Sequence, residues 1–256
     1  MIHPTAIIDP SAEIGENVKI GPYCIIEKDT VIGNDCELKS HVVVAKQTQL
    51  GSGNKVYPFA SIGEDPQDKK FADEPTQLII GDNNTIREYV TINRGTVDDK
   101  GLTQVGDNNW IMAYVHIAHD CILGSHTILA NCSSLAGHVH VGDHAILGGF
   151  TKIHQFCRIG AHAFSAMDSG FQKDLPPFVM AQGNPAKPRA INFEGLKRRG
   201  FDKNRISQIK KAYRILYKSD LKLEQAVDEL QQMGQESADV KLMVEFITNS
   251  SRSIIR

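Results

Sequence analysis

Histidines are concentrated in one stretch of this sequence, where eight of the ten lie between His116 and His162. An imidazole titrates close to neutral pH, so a neutral ring can take the proton of a hydroxyl group that attacks a carbonyl carbon. His119 is followed at once by the acidic Asp120. Because the chain has no Gly-x-Ser-x-Gly nucleophile elbow, these residues favour general-base chemistry without a covalent intermediate on the protein.

An aliphatic residue returns at every sixth position and predicts the scaffold that must hold these histidines. A period of six fits neither a helix nor a simple alternating strand, and hexapeptide repeats are typical of a parallel β-helix. Three hexads then form one triangular coil of 18 residues, and about eight such coils stack. The repeat positions are Ile2, Ile8, Ile14, Ile20, Ile26, Ile32, Leu38, Val44, Leu50, Val56, Ile62, Ile80, Ile86, Ile92, Val105, Ile111, Ile117, Leu123, Leu129, Leu135, Val141, Leu147, Ile153 and Ile159.

The coil of 18 residues predicts which side chains become neighbours. His119, Gly137 and Gln155 are 18 apart and should line up on consecutive coils, which places an imidazole one strand from a glycine N–H and a primary amide. His126, His144 and His162 have the same spacing, and we interpret them as a surface stack with a structural role.

Two polar inserts interrupt the repeat. The first runs from Gly63 to Leu78; because Ile62 and Ile80 are 18 residues apart, we expect a loop to replace most of one coil there. The second, Asp98 to Gln104, shifts the register by one residue. Inserts in solenoids often project from one face and form the binding surface.

The hexads fade after Phe164, and beyond about Ile191 the apolar residues adopt helical spacing. One stripe consists of Ile206, Ile209, Tyr213 and Leu216. We therefore predict a β-helix domain over residues 1–190 and a helical domain over residues 191–256 that covers the open edge of the last coil.

Composition limits the cellular setting. No apolar run approaches the roughly 18 residues that a membrane span needs, and the N-terminus has no signal-peptide pattern. The cysteines Cys24, Cys36, Cys121 and Cys157 occupy the small inward slot of the hexad, so we interpret them as core residues. These features predict a cytoplasmic protein without structural disulfides or a metal site.

Charge is unevenly distributed, although the formal net charge is only -2. Between Lys197 and Lys222 there are ten lysines or arginines, and the only acidic residues are Asp202 and Asp220. This segment predicts an acidic partner, with a solvated helix face as the alternative. Nucleic acid is disfavoured because the rest of the chain is not basic and carries no recognised binding motif.

Many hexads begin with an aliphatic residue followed by glycine, as in Ile14-Gly15, Leu50-Gly51 and Ile159-Gly160. Together with longer motifs, this pattern resembles the hexapeptide-repeat acyltransferases, in particular the branch that acylates UDP-N-acetylglucosamine. The resemblance covers Ile2 to Arg256, and it implies a left-handed parallel β-helix with a C-terminal α-helical domain. The longer motifs are His116-Ile-Ala-His119-Asp120-Cys, Leu-Ala136-Gly137-His138-Val, Ile153-His154-Gln155-Phe, Asn192-Phe-Glu194-Gly-Leu-Lys-Arg198-Arg199-Gly-Phe201, Gln67 to Lys70 and residues 93–96.

The resemblance implies an activity in lipid A biosynthesis. Members of this branch move a 3-hydroxyacyl chain from acyl carrier protein to the glucosamine 3-hydroxyl of UDP-N-acetylglucosamine, without a cofactor of their own because phosphopantetheine arrives on the carrier. Carried over to this sequence, His119 is the general base, Asp120 orients it and the Gly137 N–H holds the oxyanion. The resemblance also implies a homotrimer with active sites between subunits.

Further roles follow from the same resemblance. His116 and His138 help to place the sugar and the acyl hydroxyl, and Asp68 and Lys70 reach in from the first insert. The expected nucleotide contacts are Gln155, Asn192, Glu194 and Arg199, His154 is a further substrate-binding residue, and Arg198 faces the carrier or its phosphopantetheine.

The same family comparison singles out three positions. Met167 aligns with the residue that closes the acyl groove, and a methionine there predicts a short chain of about ten carbons, since each excluded methylene forfeits about 0.8 kcal/mol. The sequence departs from the family at Asn93 and Pro185, where histidine is usual or frequent.

Three alternatives share the scaffold. A metal hydratase of the γ-carbonic anhydrase type would need a pair of histidines five residues apart, which this sequence lacks. A non-catalytic binding module would not require His119-Asp120 beside Gly137. The related N-acyltransferase normally carries an N-terminal uridine-binding domain, whereas the hexads here begin at Ile2. Whether the acceptor bears a 3-hydroxyl or a 3-amino group stays open.

Overall fold

A computed structural model describes residues 1–256 and consists of short strands followed by four helices. The strands are β1 Ile7–Ile8, β2 Glu13–Ile14, β3 Lys19–Ile20, β4 Ile25–Ile26, β5 Val31–Ile32, β6 Glu37–Leu38, β7 Val43–Val44, β8 Thr48–Leu50, β9 Lys55–Val56, β10 Ser61–Glu64, β11 Gln77–Ile80, β12 Thr85–Ile86, β13 Thr91–Asn93, β14 Leu102–Val105, β15 Trp110–Ile111, β16 His116–Ile117, β17 Ile122–Leu123, β18 Ile128–Leu129, β19 Ser134–Leu135, β20 His140–Val141, β21 Ile146–Leu147, β22 Lys152–Ile153, β23 Arg158–Ile159, β24 Phe164–Ser165, β25 Gly170–Phe171, β26 Val179–Gln182 and β27 Lys187–Ile191. The helices are α1 Phe193–Arg198, α2 Lys203–Lys218, α3 Leu223–Gly234 and α4 Ala238–Thr248.

Every third strand pairs in parallel, and the three resulting sheets form the faces of a prism. Face 1 is β1-β4-β7-β10-β13-β16-β19-β22-β25, and face 2 is β2-β5-β8-β11-β14-β17-β20-β23. Face 3 runs from β3 through β6, β9, β12, β15, β18, β21 and β24 to β26 and β27. The predicted parallel β-helix is therefore confirmed.

The hexad explains the core. The repeat aliphatics point inward and are almost fully buried, as in Ile26 and Leu129, and the inward cysteines Cys24, Cys36, Cys121 and Cys157 are 0 % exposed. Corners between faces place a residue in the left-handed backbone region, and Asp120 and His138 have φ values of 59° and 61°. The turn chemistry thus recurs with the same period of six as the core.

Both inserts leave the prism at one corner, where the chain passes from face 1 to face 2. We call this the insert corner; it comprises residues 65–76, 94–101, 118–121, 136–139 and 154–157. The prediction that the first insert replaces most of a coil is wrong. β10 pairs with β7 and β13, and β11 pairs with β8 and β14, so both faces stay continuous. Ile62 and Ile80 lie on different faces, and their separation of 18 is one hexad plus twelve inserted residues.

The solenoid also extends further than the hexads indicate. Parallel pairing continues through β25 and β26, and only β27 reverses direction. The aliphatic pattern misses this part because buried Ser165 and Phe171 take the inward positions of β24 and β25. The irregular stretch expected after Phe164 is therefore still part of the solenoid, although its hexad pattern has faded.

The C-terminal segment closes the prism as predicted. α2 packs on β27 through a buried stripe that includes Ile206, Ile209, Tyr213 and Leu216. The tail forms a parallel bridge between Asp174 and Ile254 at the end of face 2. No helix in the structure has the length and apolar character that would let it span a bilayer.

Candidate active site

The insert corner brings the predicted catalytic residues together. His119, Gly137 and Gln155 lie on three consecutive coils and line one cleft of about 510 Å³ on face 1. His116 and His154 also line it, as predicted. The lining residues without a predicted role include Gln67, Lys152, Phe171 and Asn184.

His119 and Asp120 form a buried hydrogen-bonded pair. The His119 Nδ1 to Asp120 Oδ2 distance is 2.8 Å, and the two residues are 6 % and 2 % exposed. Burial would raise the pKa of Asp120, but hydrogen bonds from His119 and Thr96 outweigh it and hold that pKa below its ordinary value. An ionised carboxylate only accepts, so the His119 proton is on Nδ1 and Nε2 keeps its lone pair. This is the tautomer that a general base needs.

Gly137 lies directly against the His119 ring. A Cβ at this position would lie 2.6 Å from His119 Cε1 and 2.8 Å from Nε2, so a side chain would displace the imidazole. The Gly137 N–H donates to no acceptor within the protein, whereas its neighbour His138 N donates to His119 O at 3.0 Å. An unused donor beside a general base can stabilise an oxyanion.

His138 and His116 flank this pair. His138 Nε2 lies 3.8 Å from Asp120 Oδ2, and its ring stacks on Phe156 with centroids 4.4 Å apart. His116 Nδ1 lies 2.7 Å from Thr91 Oγ1. Burial, with a smaller contribution from His119, lowers the pKa of His116, so this imidazole is neutral and can exchange hydrogen bonds with a polar substrate.

Asn93 and Pro185 lie close to the cleft. Asn93 is buried and donates from Nδ2 to Asp65 O at 2.7 Å, which ties the base of the first insert to β13. Pro185 follows the lining residue Asn184 and is itself exposed. Where histidine is usual in the family, the Asn93 amide of this chain thus attaches the first insert to β13.

The first insert approaches the cleft only through Gln67. Asp68 Oδ1 accepts a hydrogen bond from Lys70 N at 3.0 Å, and the exposed Lys70 Nζ lies 3.4 Å from Asp98 Oδ2. The structure thus keeps Asp68 and Lys70 on the adjoining loop but does not bring them onto the cleft wall.

Four other predicted residues lie in a second cleft, on face 3. It measures about 460 Å³ and is lined by Asn192, Glu194, Arg198 and Arg199, together with the apolar Ile128, Ile146, Phe164 and Met180. Arg199 Nη1 is buried and has no hydrogen-bond partner, and burial lowers the pKa of this guanidinium. The rest of Arg199 is part-exposed, and neither it nor Arg198 forms an ion pair within the chain, so the positive charge at this cleft is suited to an anion.

Met167 lies at the corner that leads into β25 and is 72 % exposed. The next strand supplies Gly170 and Phe171 to the wall of the His119 cleft. Met167 itself does not line that cleft within one chain.

Comparisons with known proteins identify the family of this chain. A family model described as UDP-N-acetylglucosamine O-acyltransferase, domain 2, matches residues 174–255, and a bacterial transferase hexapeptide model matches residues 11–46 and 102–137. A relative from Janthinobacterium sp. (strain Marseille), named acyl-[acyl-carrier-protein]–UDP-N-acetylglucosamine O-acyltransferase, is 59% identical across 100% of this chain and 99% of its own length. A relative of the same name from Thiobacillus denitrificans is 56% identical with the same coverage.

The chain belongs to the UDP-N-acetylglucosamine O-acyltransferase family. The crystal structure of the Francisella novicida UDP-N-acetylglucosamine acyltransferase superposes with a TM-score of 0.99 at 44% identity, covering 100% of this chain and 94% of that one. The Arabidopsis enzyme superposes with a TM-score of 0.86 at 35% identity, with both chains fully covered. The protein is therefore an acyltransferase with the left-handed β-helix that its sequence resemblance implies.

A reactive thiol beside His119 would favour a covalent acyl-enzyme mechanism instead of general-base catalysis. Cys121 follows Asp120, but burial raises its pKa to about 12 and its thiol faces the core, donating to Ala136 O at 3.2 Å. It is therefore a core residue.

The residues around His119 also have the side-chain types of a metal site. His119, Asp120 and His138 each offer one ligand atom, and these atoms lie within 4.8 Å of one another. However, Asp120 Oδ1 already accepts from Thr96 N, and Oδ2 accepts from Thr96 Oγ1 and His119 Nδ1. A metal ion would have to displace these bonds, so the arrangement fits a base and its orienting carboxylate better than a ligand set.

Proposed function

We propose that this protein transfers a 3-hydroxyacyl chain from acyl carrier protein to the glucosamine 3-hydroxyl of UDP-N-acetylglucosamine, the first step of lipid A biosynthesis. The observation that carries the proposal is the hydrogen bond between His119 Nδ1 and Asp120, which leaves His119 Nε2 beside Gly137, whose N–H is free. The names of the full-length relatives support the two substrates.

His119 Nε2 takes the proton of the sugar hydroxyl while the hydroxyl oxygen attacks the thioester carbonyl. The carbonyl oxygen becomes an oxyanion that the Gly137 N–H stabilises. The carbon–sulfur bond then breaks, the proton passes from His119 to the leaving thiolate, and Asp120 stabilises the imidazolium in between. No cofactor of the protein takes part, because the phosphopantetheine thiol arrives on the acyl carrier.

Substrate placement divides between the wall of the cleft and the first insert. The neutral His116, with His138 and His154, orients the sugar and the acyl hydroxyl, and Asp68 and Lys70 close over them from the insert. Gln155 lies in the same cleft as His119 and contacts the nucleotide from that side.

The remaining nucleotide contacts come from the second cleft. Asn192, Glu194 and the unpaired Arg199 bind the UDP moiety, and Arg198 faces the acyl carrier or its phosphopantetheine. These residues lie on face 3, whereas His119 lies at the insert corner, where face 1 meets face 2. One chain thus carries two half-sites, which favours an oligomer that joins them. The family resemblance makes this a homotrimer, in which the His119 cleft of one subunit meets face 3 of the next.

Subunit complementation tests this assembly. His119→Ala and Arg199→Ala should each be inactive alone, whereas the co-expressed population should regain roughly a quarter of the activity, because each mixed trimer has one site that combines two intact halves. Absence of recovery in mixed trimers, or full activity in a monomeric fraction during sedimentation, would contradict the shared site.

Direct assay tests the reaction. Purified protein is mixed with 3-hydroxyacyl carriers of several lengths and with UDP-N-acetylglucosamine or its 3-amino analogue. Formation of an oxygen ester at the sugar 3-position supports the proposal and decides between the two acceptors. Turnover with the amino analogue alone, or with neither sugar, would overturn it.

A further inference from the structure

In the structure, the second insert is the segment 94–101 between β13 and β14, and it contacts Asp120 of the catalytic pair and the neighbouring His138. It occupies the insert corner one coil before Asp120, between β13 and β14. Thr96 donates to the Asp120 carboxylate twice, from its N–H to Oδ1 at 2.9 Å and from its hydroxyl to Oδ2 at 2.6 Å. Thr96 is 5 % exposed, so these bonds are shielded from solvent.

Asp99, three residues after Thr96 in the second insert, contacts His138. Its Oδ2 lies 3.1 Å from His138 Nδ1. Since the carboxylate accepts, it keeps the His138 proton on Nδ1 and leaves Nε2 directed at Asp120 Oδ2, 3.8 Å away. The Asp99 side chain is 38 % exposed, so this contact is weaker than that of Thr96.

The insert can position these groups because its base is firmly attached. Arg94 is 0 % exposed; its guanidinium donates to Gly63 O at 2.7 Å and pairs with Asp65. Gly95 lies so close to the returning chain that a Cβ would be 2.1 Å from Leu102 N. The backbone N–H of Gly101 closes the loop on Thr96 O at 3.0 Å.

We propose that the second insert is the positioning element of the active site, in which Thr96 fixes the Asp120 carboxylate toward His119 and Asp99 fixes the ring of His138. Neither residue touches the reacting atoms. Thr96 acts on the general base through Asp120, and Asp99 acts on sugar placement through His138. This inference rests on the proposed function, because it assigns these effects to acyl transfer.

The two contacts predict different kinetic effects. Thr96→Val removes the hydrogen bond from the Thr96 hydroxyl to the charged Asp120. Because a bond of this kind contributes substantially, kcat should fall about tenfold, with KM changed less than about twofold. Thr96→Ser keeps the hydroxyl and should recover most of kcat. Asp99→Asn should instead raise KM for the UDP-sugar severalfold, with kcat changed little, since His138 places the sugar.

A matched control separates positioning from general damage. Thr30 is also fully buried in the solenoid and donates from Oγ1 to Ala45 O at 3.3 Å, on the early coils and away from the cleft. Thr30→Val should therefore reproduce any loss of stability from Thr96→Val but leave kcat unchanged.

Proton NMR provides a readout that needs no turnover. The downfield signal of the His119 Nδ1–H bonded to Asp120 should be present in wild type, Thr96→Ser and Thr30→Val, and shifted or lost in Thr96→Val. If wild type transfers no acyl chain but the signal still depends on Thr96, the proposed function fails while the positioning role stands. The positioning role is overturned if Thr96→Val keeps both its signal and wild-type kcat, or if Thr96→Ser is as impaired as Thr96→Val.

Discussion

Gly137 and His119 are in such close contact that the glycine has no room for a side chain, with a Cβ placed 2.6 Å from the imidazole Cε1. The ring cannot yield without breaking its 2.8 Å bond to Asp120. Gly137→Ala should therefore lower kcat about a hundredfold, because small displacements of a catalytic group cost that much, while the fold persists.

Gly149→Ala is the control for this substitution. A Cβ at Gly149 meets only Asn131 O, at 3.4 Å. Circular dichroism should show both variants folded, and only Gly137→Ala should be slow. Equal rates for the two variants would show that the close contact is irrelevant to catalysis.

The general base itself gives the second prediction. His119→Ala should reduce turnover by about 10² to 10⁴, the usual contribution of a general base, and Asp120→Asn should have a smaller effect because the orienting partner supplies only part of that. Steady-state rates with purified protein provide the measurement. His3→Ala, at the exposed N-terminus, should match wild type. Near-normal rates for His119→Ala would refute the mechanism.

The period of 18 residues predicted the part of this site that lies on regular coils, but not the part that lies on the inserts. It placed Gly137 and Gln155 beside His119 because all three lie on uninterrupted coils. It failed between Ile62 and Ile80, where an insert of twelve residues imitated a full coil. Thr96 and Asp99 could not be placed at all, since an insert has no repeat from which their neighbours follow.

The sequence pattern also could not predict how the two clefts relate to each other. Hexads specify the contacts between coils of one chain, but not which surfaces of two chains meet. The nucleotide contacts expected of Asn192 and Arg199 therefore came only from family resemblance, and the structure adds that Arg199 has an unpaired buried nitrogen. That orphaned donor is visible only once the packing is known.

His162 predicts a loss of stability in acid. Burial, together with nearby His144 and Arg199, lowers its pKa to about 4, and Asp239 opposes this weakly while Arg205 reinforces it. An unfolded histidine titrates near 6.5, so between about pH 6.5 and 4 the unfolded chain binds a proton that the native state does not. Stability present above that window is lost as the pH falls through it.

Replacing the ring with one that cannot titrate should remove this dependence. His162→Phe keeps the stack on His144. Between pH 7 and 5, wild type should lose about 1 kcal/mol more stability than this variant, an amount discounted for the partial exposure of His162. Urea unfolding at the two pH values provides the measurement. His126→Phe, at the exposed end of the same stack, serves as the control. Parallel pH profiles for wild type and His162→Phe would contradict the assignment.

The basic segment from Lys197 to Lys222 predicts salt-sensitive binding of acyl carrier protein. Arg205 is engaged by Asp239 at 2.8 Å, and the other nine cations have no carboxylate within 4.0 Å. The Debye length falls from about 10 Å at 0.1 M salt to about 3 Å at 1 M, so the apparent affinity should fall as salt rises. Arg198→Ala and Lys211→Glu should each weaken binding severalfold. Lys28→Glu, on an exposed solenoid turn, should leave binding unchanged. An affinity that does not depend on salt would show that the basic segment is only a solvated helix face.

Met167 predicts the length of the transferred chain. It precedes Gly170 and Phe171 of the cleft wall and is 72 % exposed in one chain, so it is available to a groove formed with a neighbouring subunit. A methionine fills the space of roughly three or four methylenes, each of which would otherwise gain about 0.8 kcal/mol on burial, and a longer chain would also clash. Wild type should therefore prefer a 3-hydroxydecanoyl carrier over a 3-hydroxymyristoyl carrier when the two compete, and Met167→Gly should shift that preference toward the longer chain. Ala166→Gly, the adjacent substitution, controls for backbone flexibility. A wild-type preference for the longer chain, or a Met167→Gly variant with unchanged preference, would show that another residue sets the acyl length.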